Sequence, residues 1–149
     1  MHFLVIFATF WAMELITWAL HKYVMHGFLW NLHEDHHAPY QSTFQKNDTF
    51  LLIFAIPSWL AIMLGMMYGS DISVDMGIGT AIYGVVYFLL HEGLIHQRIK
   101  LFKRTDNFFF RAIRKAHKIH HKHQGKAHGE CFGLLIVPVK YYKEALRRR

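Results

Sequence analysis

Residues 50–70 read FLLIFAIPSWLAIMLGMMYGS and carry no charge. A core helix of a soluble protein keeps polar residues at helical spacing on its wet face, and this run has almost none. It is long enough to cross a bilayer, which takes about 20 predominantly apolar residues. Two more runs have the same character. Residues 3–20, FLVIFATFWAMELITWAL, contain one charge, Glu14. Residues 76–90, MGIGTAIYGVVYFLL, are short alone and are expected to continue as helix through HEGLIH to about Ile95. Pro57 is expected to kink the second helix, which a membrane helix tolerates. The first run has no basic stretch before it and no clear small-residue cleavage site, so it reads as a retained span rather than a signal peptide. The expected fold is all-α, a multi-pass membrane protein of three to four spans forming a single domain over residues 1–149.

Charge placement gives the orientation. The chain has 17 Lys and Arg against 10 Asp and Glu, a net charge of +7. The link between the second and third runs, SDISVD, holds Asp71 and Asp75 and no basic residue. Lys22, Lys46 and every remaining Lys and Arg fall on the other side. The positive-inside rule makes that side cytoplasmic, with His2 on the opposite face. A basic balance so arranged is explained by topology, and nucleic acid is a poor partner for it. Glu14 needs a partner or a water path, either lining a cavity or reaching the interface. Phe102, Phe108, Phe109 and Phe110, interleaved with basic residues, suggest a helix lying at the interface with its apolar face down. FGLLIVPVKYY, residues 132–142, is too short to span and is expected to dip into the membrane or cap the domain. Cys131 is the only cysteine, so no disulfide forms within the chain; it reads as a small buried hydrophobe. Trp11, Trp18, Trp30 and Trp59 read as interface anchors or core.

Ten of the 13 histidines fall in four boxes. His21 and His26 form H-x4-H, and His33, His36 and His37 form H-x2-H-H. His91 and His96 repeat the first pattern, and His117, His120 and His121 repeat the second. Two spans separate the copies, which returns the chain to the same side. On an α-helix, at ~100° per residue, an H-x2-H-H trio fits within ~100° of arc and can face one region. The H-x4-H pairs are ~140° apart on such a helix. Either the helix unwinds or bulges there, or the two members serve different metals. Gly27 fits a helix end and Gly93 permits distortion.

Imidazole suits Fe, Zn, Cu and Ni. Ten rings exceed what one ion can use, and two ions with about four or five nitrogens each are the economical arrangement. A single H-x4-H is weak evidence, and a histidine cluster at a membrane surface also makes a pH-sensitive patch. Four boxes in alternating order on one side favour metal. The chain lacks the cysteines of zinc fingers, the spacing of H-E-x-x-H zincins and the carboxylates of ferritin-like sites. Glu34, Asp35, Glu92 and Glu130 are candidate acceptors for the ring N–H groups of the ligands. His123 and His128 lie outside the pattern and read as surface or supporting groups.

The boxes HKYVMH, HEDHH, HEGLIH and HKIHH, in this order on a short chain with little besides boxes and spans, resemble the fatty acid hydroxylase superfamily of membrane di-iron enzymes. The resemblance is closest to the bacterial β-carotene 3-hydroxylases. RKAHKIHHKHQGKAHGECFGLLIVP is similar to their C-terminal stretch, ending in Phe-Gly and then Pro. The resemblance covers nearly the whole chain, whereas alkane hydroxylases and acyl desaturases space their boxes differently. It implies a non-haem di-iron monooxygenase of the bacterial inner membrane, with the ten box histidines as ligands of two iron ions. It implies hydroxylation at C3 of β-ionone rings, from β-carotene through β-cryptoxanthin to zeaxanthin. Dioxygen is then the oxidant, with electrons from NAD(P)H through a ferredoxin-type donor. The carotenoid arrives from the bilayer and the donor from the cytoplasm, where basic residues attract an acidic partner. The alternatives are a fatty acid, sterol or sphingolipid hydroxylase or desaturase of the same superfamily, a membrane metal transporter and a haem-binding cytochrome.

Overall fold

The computed structural model describes residues 2–38, 44–99, 102, 105–123, 125 and 129–147. Among them the regular elements are all helical, as the hydropathy requires. Helix α1 (Phe3–Leu20) runs directly into a π-helical turn, His21–Phe28. A short helix α2 (Trp30–His33) and a 3₁₀ turn (Glu34–His37) follow. A second 3₁₀ turn, Lys46–Asp48, leads into α3 (Thr49–Tyr68), which passes through Pro57 and stops at Gly69. Gly69 has φ 70°, the left-handed conformation that ends a helix cheaply only for glycine. Helix α4 (Asp71–Phe88) returns and continues as a second π-helical turn, Leu89–Ile95. Helices α5 (Phe108–His120) and α6 (Val139–Arg147) follow.

Three helical stretches, Phe3–Phe28, Lys46–Tyr68 and Asp71–Ile95, are long and apolar enough to cross a membrane. Their outward faces carry large exposed apolar side chains, among them Phe7, Leu15, Trp59 and Met66. α4 packs against both α1 and α3. The close approaches rest on small residues, as is usual without a hydrophobic drive between helices in lipid. A Cβ on Gly77 would stand 2.8 Å from Ser58 O of α3, and one on Gly79 would stand 2.7 Å from Ile6 O of α1. Ser58 Oγ donates to Gly77 O (2.8 Å) and Ser73 Oγ to Ala61 O (2.9 Å) across the same seam. At the far end from the boxes, the His2 backbone N–H donates to Asp75 Oδ2 at 2.6 Å, tying the start of α1 to α4.

The C-terminal part differs from expectation in one respect. The apolar face of α5 packs on protein: Ala112, Ile113 and Ala116 are buried against Ile95, Leu134, Val137, Tyr141 and Ala145. α6 covers the face expected to lie on lipid, and Lys115 pairs with Glu144 beside it. Phe102 and Phe108 stay exposed.

Residues 131–138 neither span nor form a helix. They dip along α1 to Glu14, which is buried. Glu14 Oε1 accepts the backbone N–H groups of Leu134 (2.9 Å), Leu135 (2.8 Å) and Ile136 (3.0 Å). Tyr83 Oη donates to Glu14 Oε2 at 2.8 Å. Irregular backbone at membrane depth survives only where such partners satisfy it. Gly133 allows the approach, since a Cβ there would stand 2.9 Å from Glu14 Oε1.

Candidate metal centre

The two π-helical turns coincide with the two H-x4-H boxes. A π-helix bonds residue i to i+5, so residues five apart stack one turn above the other. In the second box the His96 backbone N–H donates to His91 O at 2.9 Å, so the box itself is one such bond. Its rings come to 4.6 Å, and those of His21 and His26 to 5.0 Å, centroid to centroid. After His26 the backbone leaves helical geometry at Gly27 (φ −120°, ψ −123°), which turns the chain toward α2. On α5, His117 and His120 share the buried face with Ile113 and Ala116.

All ten box histidines gather at one end of the three long helices. Nine form two groups in which one nitrogen per ring lies within 4.8 Å of the others. His21, His26, His33, His37 and His120 make the first; His36, His91, His96 and His117 make the second. Each H-x4-H box stays within one group, so the pairs do not serve different sites. The H-x2-H-H boxes, expected to face one region, divide instead. His36 joins the second group while its neighbours His33 and His37 join the first, and His117 and His120 divide likewise. His121 sits at the seam. Its Nε2 is 2.8 Å from His117 Nε2, and its ring stacks on His37 at 4.2 Å. His123 is exposed and belongs to neither group. His128 lies outside the described residues.

Hydrogen bonds on the far side of the rings fix which nitrogen faces inward. His21 Nδ1 donates to Phe132 O (2.9 Å), His120 Nδ1 to Glu130 O (3.1 Å) and His91 Nδ1 to Glu92 Oε1 (2.6 Å). His33 Nδ1 lies 2.6 Å from Asn47 Oδ1, and His36 Nδ1 lies 3.2 Å from Gln45 Oε1. A neutral imidazole that donates from Nδ1 keeps a bare lone pair at Nε2. His21 Nε2 and His33 Nε2 nonetheless face each other at 3.1 Å, with no proton left to bridge them. Two lone pairs so placed repel unless a cation accepts both. The donor set therefore fits two transition-metal ions, one per group.

Burial favours the neutral form of seven of these rings. It pushes His33 down to about 3, His121 to about 4 and His120 to about 2, from an ordinary 6.5. It also holds His36, His37, His96 and His117 well below the usual range, and neighbouring imidazoles add repulsion. Neutral imidazole is the form that binds metal.

Of the four candidate acidic acceptors, only Glu92 bonds a box histidine through its carboxylate. Its other oxygen accepts from Arg98 (2.9 Å), which also holds both oxygens of Asp48 at 2.9 Å. The Glu130 carboxylate goes to Lys140 and Tyr141, and its main-chain oxygen serves His120. Glu34 pairs with Lys46 at 3.5 Å, and Asp35 accepts the Lys46 backbone N–H at 2.7 Å. Asn47 and Gln45 take the expected places instead. Polar side chains beside the head of an apolar span were the one signal pointing to them.

A cavity of about 840 Å³ opens beside the groups, between α1, α3 and α4, and reaches His21 and His91.

Over residues 6–138 the sequence matches the family described as fatty acid hydroxylase. A protein named beta-carotene hydroxylase from Paracoccus sp. (strain PC1) is 34% identical over 98% of this chain and 91% of its own. One of the same name from Pantoea ananas is 37% identical over 91% of this chain and 77% of its own. The chloroplastic beta-carotene 3-hydroxylase of Gentiana lutea is 33% identical over 87% of this chain and 39% of its own. No solved structure matches.

Proposed function

This chain belongs to the fatty acid hydroxylase family, and on that premise we propose that it hydroxylates C3 of the β-ionone rings of β-carotene, through β-cryptoxanthin to zeaxanthin. One observation carries the chemistry: two adjoining all-imidazole groups whose Nε2 lone pairs converge at the end of bilayer-length helices. The names of its relatives supply the substrate. Each turn inserts one oxygen atom of O2 into a C–H bond and reduces the other to water, consuming two electrons and two protons.

Acid–base groups alone cannot attack an unactivated C–H bond. Two iron ions, held by His21, His26, His33, His37 and His120 and by His36, His91, His96 and His117, would supply the dioxygen activation. His121 stands within reach of both groups. The chain's part is to hold the rings and exclude water. Phe132 O, Glu130 O, Asn47 and Glu92 fix the tautomers, and Arg98 braces Glu92. The site faces the cytoplasm of the bacterial inner membrane, supported by the basic residues of its side. There electrons arrive from NAD(P)H through a ferredoxin-type donor, drawn to the basic face.

Expression in a β-carotene-accumulating bacterial host tests this. Wild type yields β-cryptoxanthin and zeaxanthin, and the purified protein carries iron. His36→Ala and His120→Ala insert normally and yield neither product. Unmodified carotene beside well-expressed, iron-loaded wild type would overturn the substrate, and hydroxylated membrane lipid in its place would assign a lipid hydroxylase.

A further inference from the structure

We propose that the cavity between α1, α3 and α4 is a bay that receives one end ring of a long polyene from the bilayer, and that Gly84 keeps it wide enough. The inference rests on the β-carotene reading and deepens it.

One stripe of α4 and of the π-helical turn that continues it lines the bay: Thr80, Tyr83, Gly84, Tyr87 and Phe88, then His91. Their spacing of three and four is a single helical face. From Thr80 to His91 the stripe rises roughly 16 Å at 1.5 Å per residue. Its inner end meets His21 and His91, one imidazole from each group. Its flank includes Leu51 and Ile53, apolar and 48% and 46% exposed, so the bay is continuous with a surface that faces lipid.

Gly84 stands apart from the other glycines of this helix. Gly77 and Gly79 are where α3 and α1 come too close for a Cβ. A Cβ on Gly84 meets nothing within 4 Å. Glycine inside a helix is disfavoured relative to alanine, and no protein contact offsets that here. The space it leaves belongs to the bay, seven residues and so roughly 10 Å from His91.

At the inner end the lining turns from apolar to charged. Arg98 bridges Glu92, at the end of the third span, to Asp48, at the head of the second. A rod-shaped molecule therefore enters end first and keeps its middle in lipid. That geometry selects a terminal ring over mid-chain carbons. A headgroup-bearing lipid, held at the interface by its polar end, cannot present its far end in this way.

The test uses a β-carotene-accumulating host and four chains: wild type, Gly84→Ala, Gly84→Phe and, on the lipid-facing side of the same helix, Val85→Phe. Pigment retained by the detergent-purified protein, hydroxylated product and iron per chain are measured. Gly84→Phe should lose pigment and product by roughly tenfold or more, the scale of a filled pocket, with iron unchanged. Gly84→Ala should lose less than Gly84→Phe, in order of side-chain volume, and Val85→Phe, 59% exposed and outside the bay, should match wild type. Should the phenylalanine variant fail to load iron, Gly84→Leu with intact iron decides by the same criterion. Wild-type pigment retention and conversion in the bulky Gly84 variant overturn the bay alone. A wild type that leaves β-carotene untouched overturns the activity proposed above.

Discussion

Glu14 is the residue on which most depends outside the boxes. It sits seven positions before His21, roughly 10 Å along the helix from the histidine layer, and accepts three backbone N–H groups of the re-entrant segment. That segment carries Phe132 O, which orients His21, and is preceded by Glu130 O, which orients His120. Each backbone donor orphaned at this depth costs ~1–3 kcal/mol. Glu14→Ala should therefore lower both iron content and melting temperature. Glu14→Gln keeps a carbonyl acceptor for the three donors and should retain most of both. Iron analysis and thermal unfolding in detergent check this, and equal loss in the two variants would assign the carboxylate a different role. The boxes were plain in the sequence because histidine is rare and their spacing regular. The acceptors behind them were not, because a backbone carbonyl is the same at every residue. Nothing in Phe132 announces a bond to a ring 111 positions away.

At the level of elements, hydropathy alone located the three long helices, since lipid leaves the backbone few other choices. The H-x4-H spacing also announced a departure from α-helix, with two outcomes open. The π-helical turns are one of them, and they keep each pair in a single group. Removing one residue inside a box should restore α-helical bonding and spoil the register. Deletion of Met25 leaves His21 and the next histidine four apart and rotates everything after them. Metal affinity should fall by at least the ~10–100-fold that disturbing the supporting shell costs, while membrane insertion continues. Iron titration of the purified deletion variant measures it, and wild-type affinity would show that the π turn is incidental. The face of α5 misled because an amphipathic helix looks the same whether α6 or lipid covers it.

For the molecule as a whole, the buried rings couple stability to pH. His33, His120 and His121 bind protons near 6.5 when unfolded and only near 3, 2 and 4 when folded. Between those values the unfolded chain holds more protons, so metal-free protein is most stable above pH 6.5 and loses stability as the pH falls toward 4. Melting of the apoprotein at pH 7.5, 6 and 5 should show a steady decline, and a flat profile would mean that the rings are reached by water. Metal should steepen the acid response, because protons compete with it for the same nitrogens. The strap that hangs from Glu14 has a consequence for biogenesis. Its acceptor is made 120 residues before Leu134. At about 5–20 residues per second, the first helix waits roughly 6 to 24 s in the translocon or bilayer before the chain that closes the iron cradle has been synthesised. Ribosome-stalled chains that end before that strap should already be integrated and yet hold no iron.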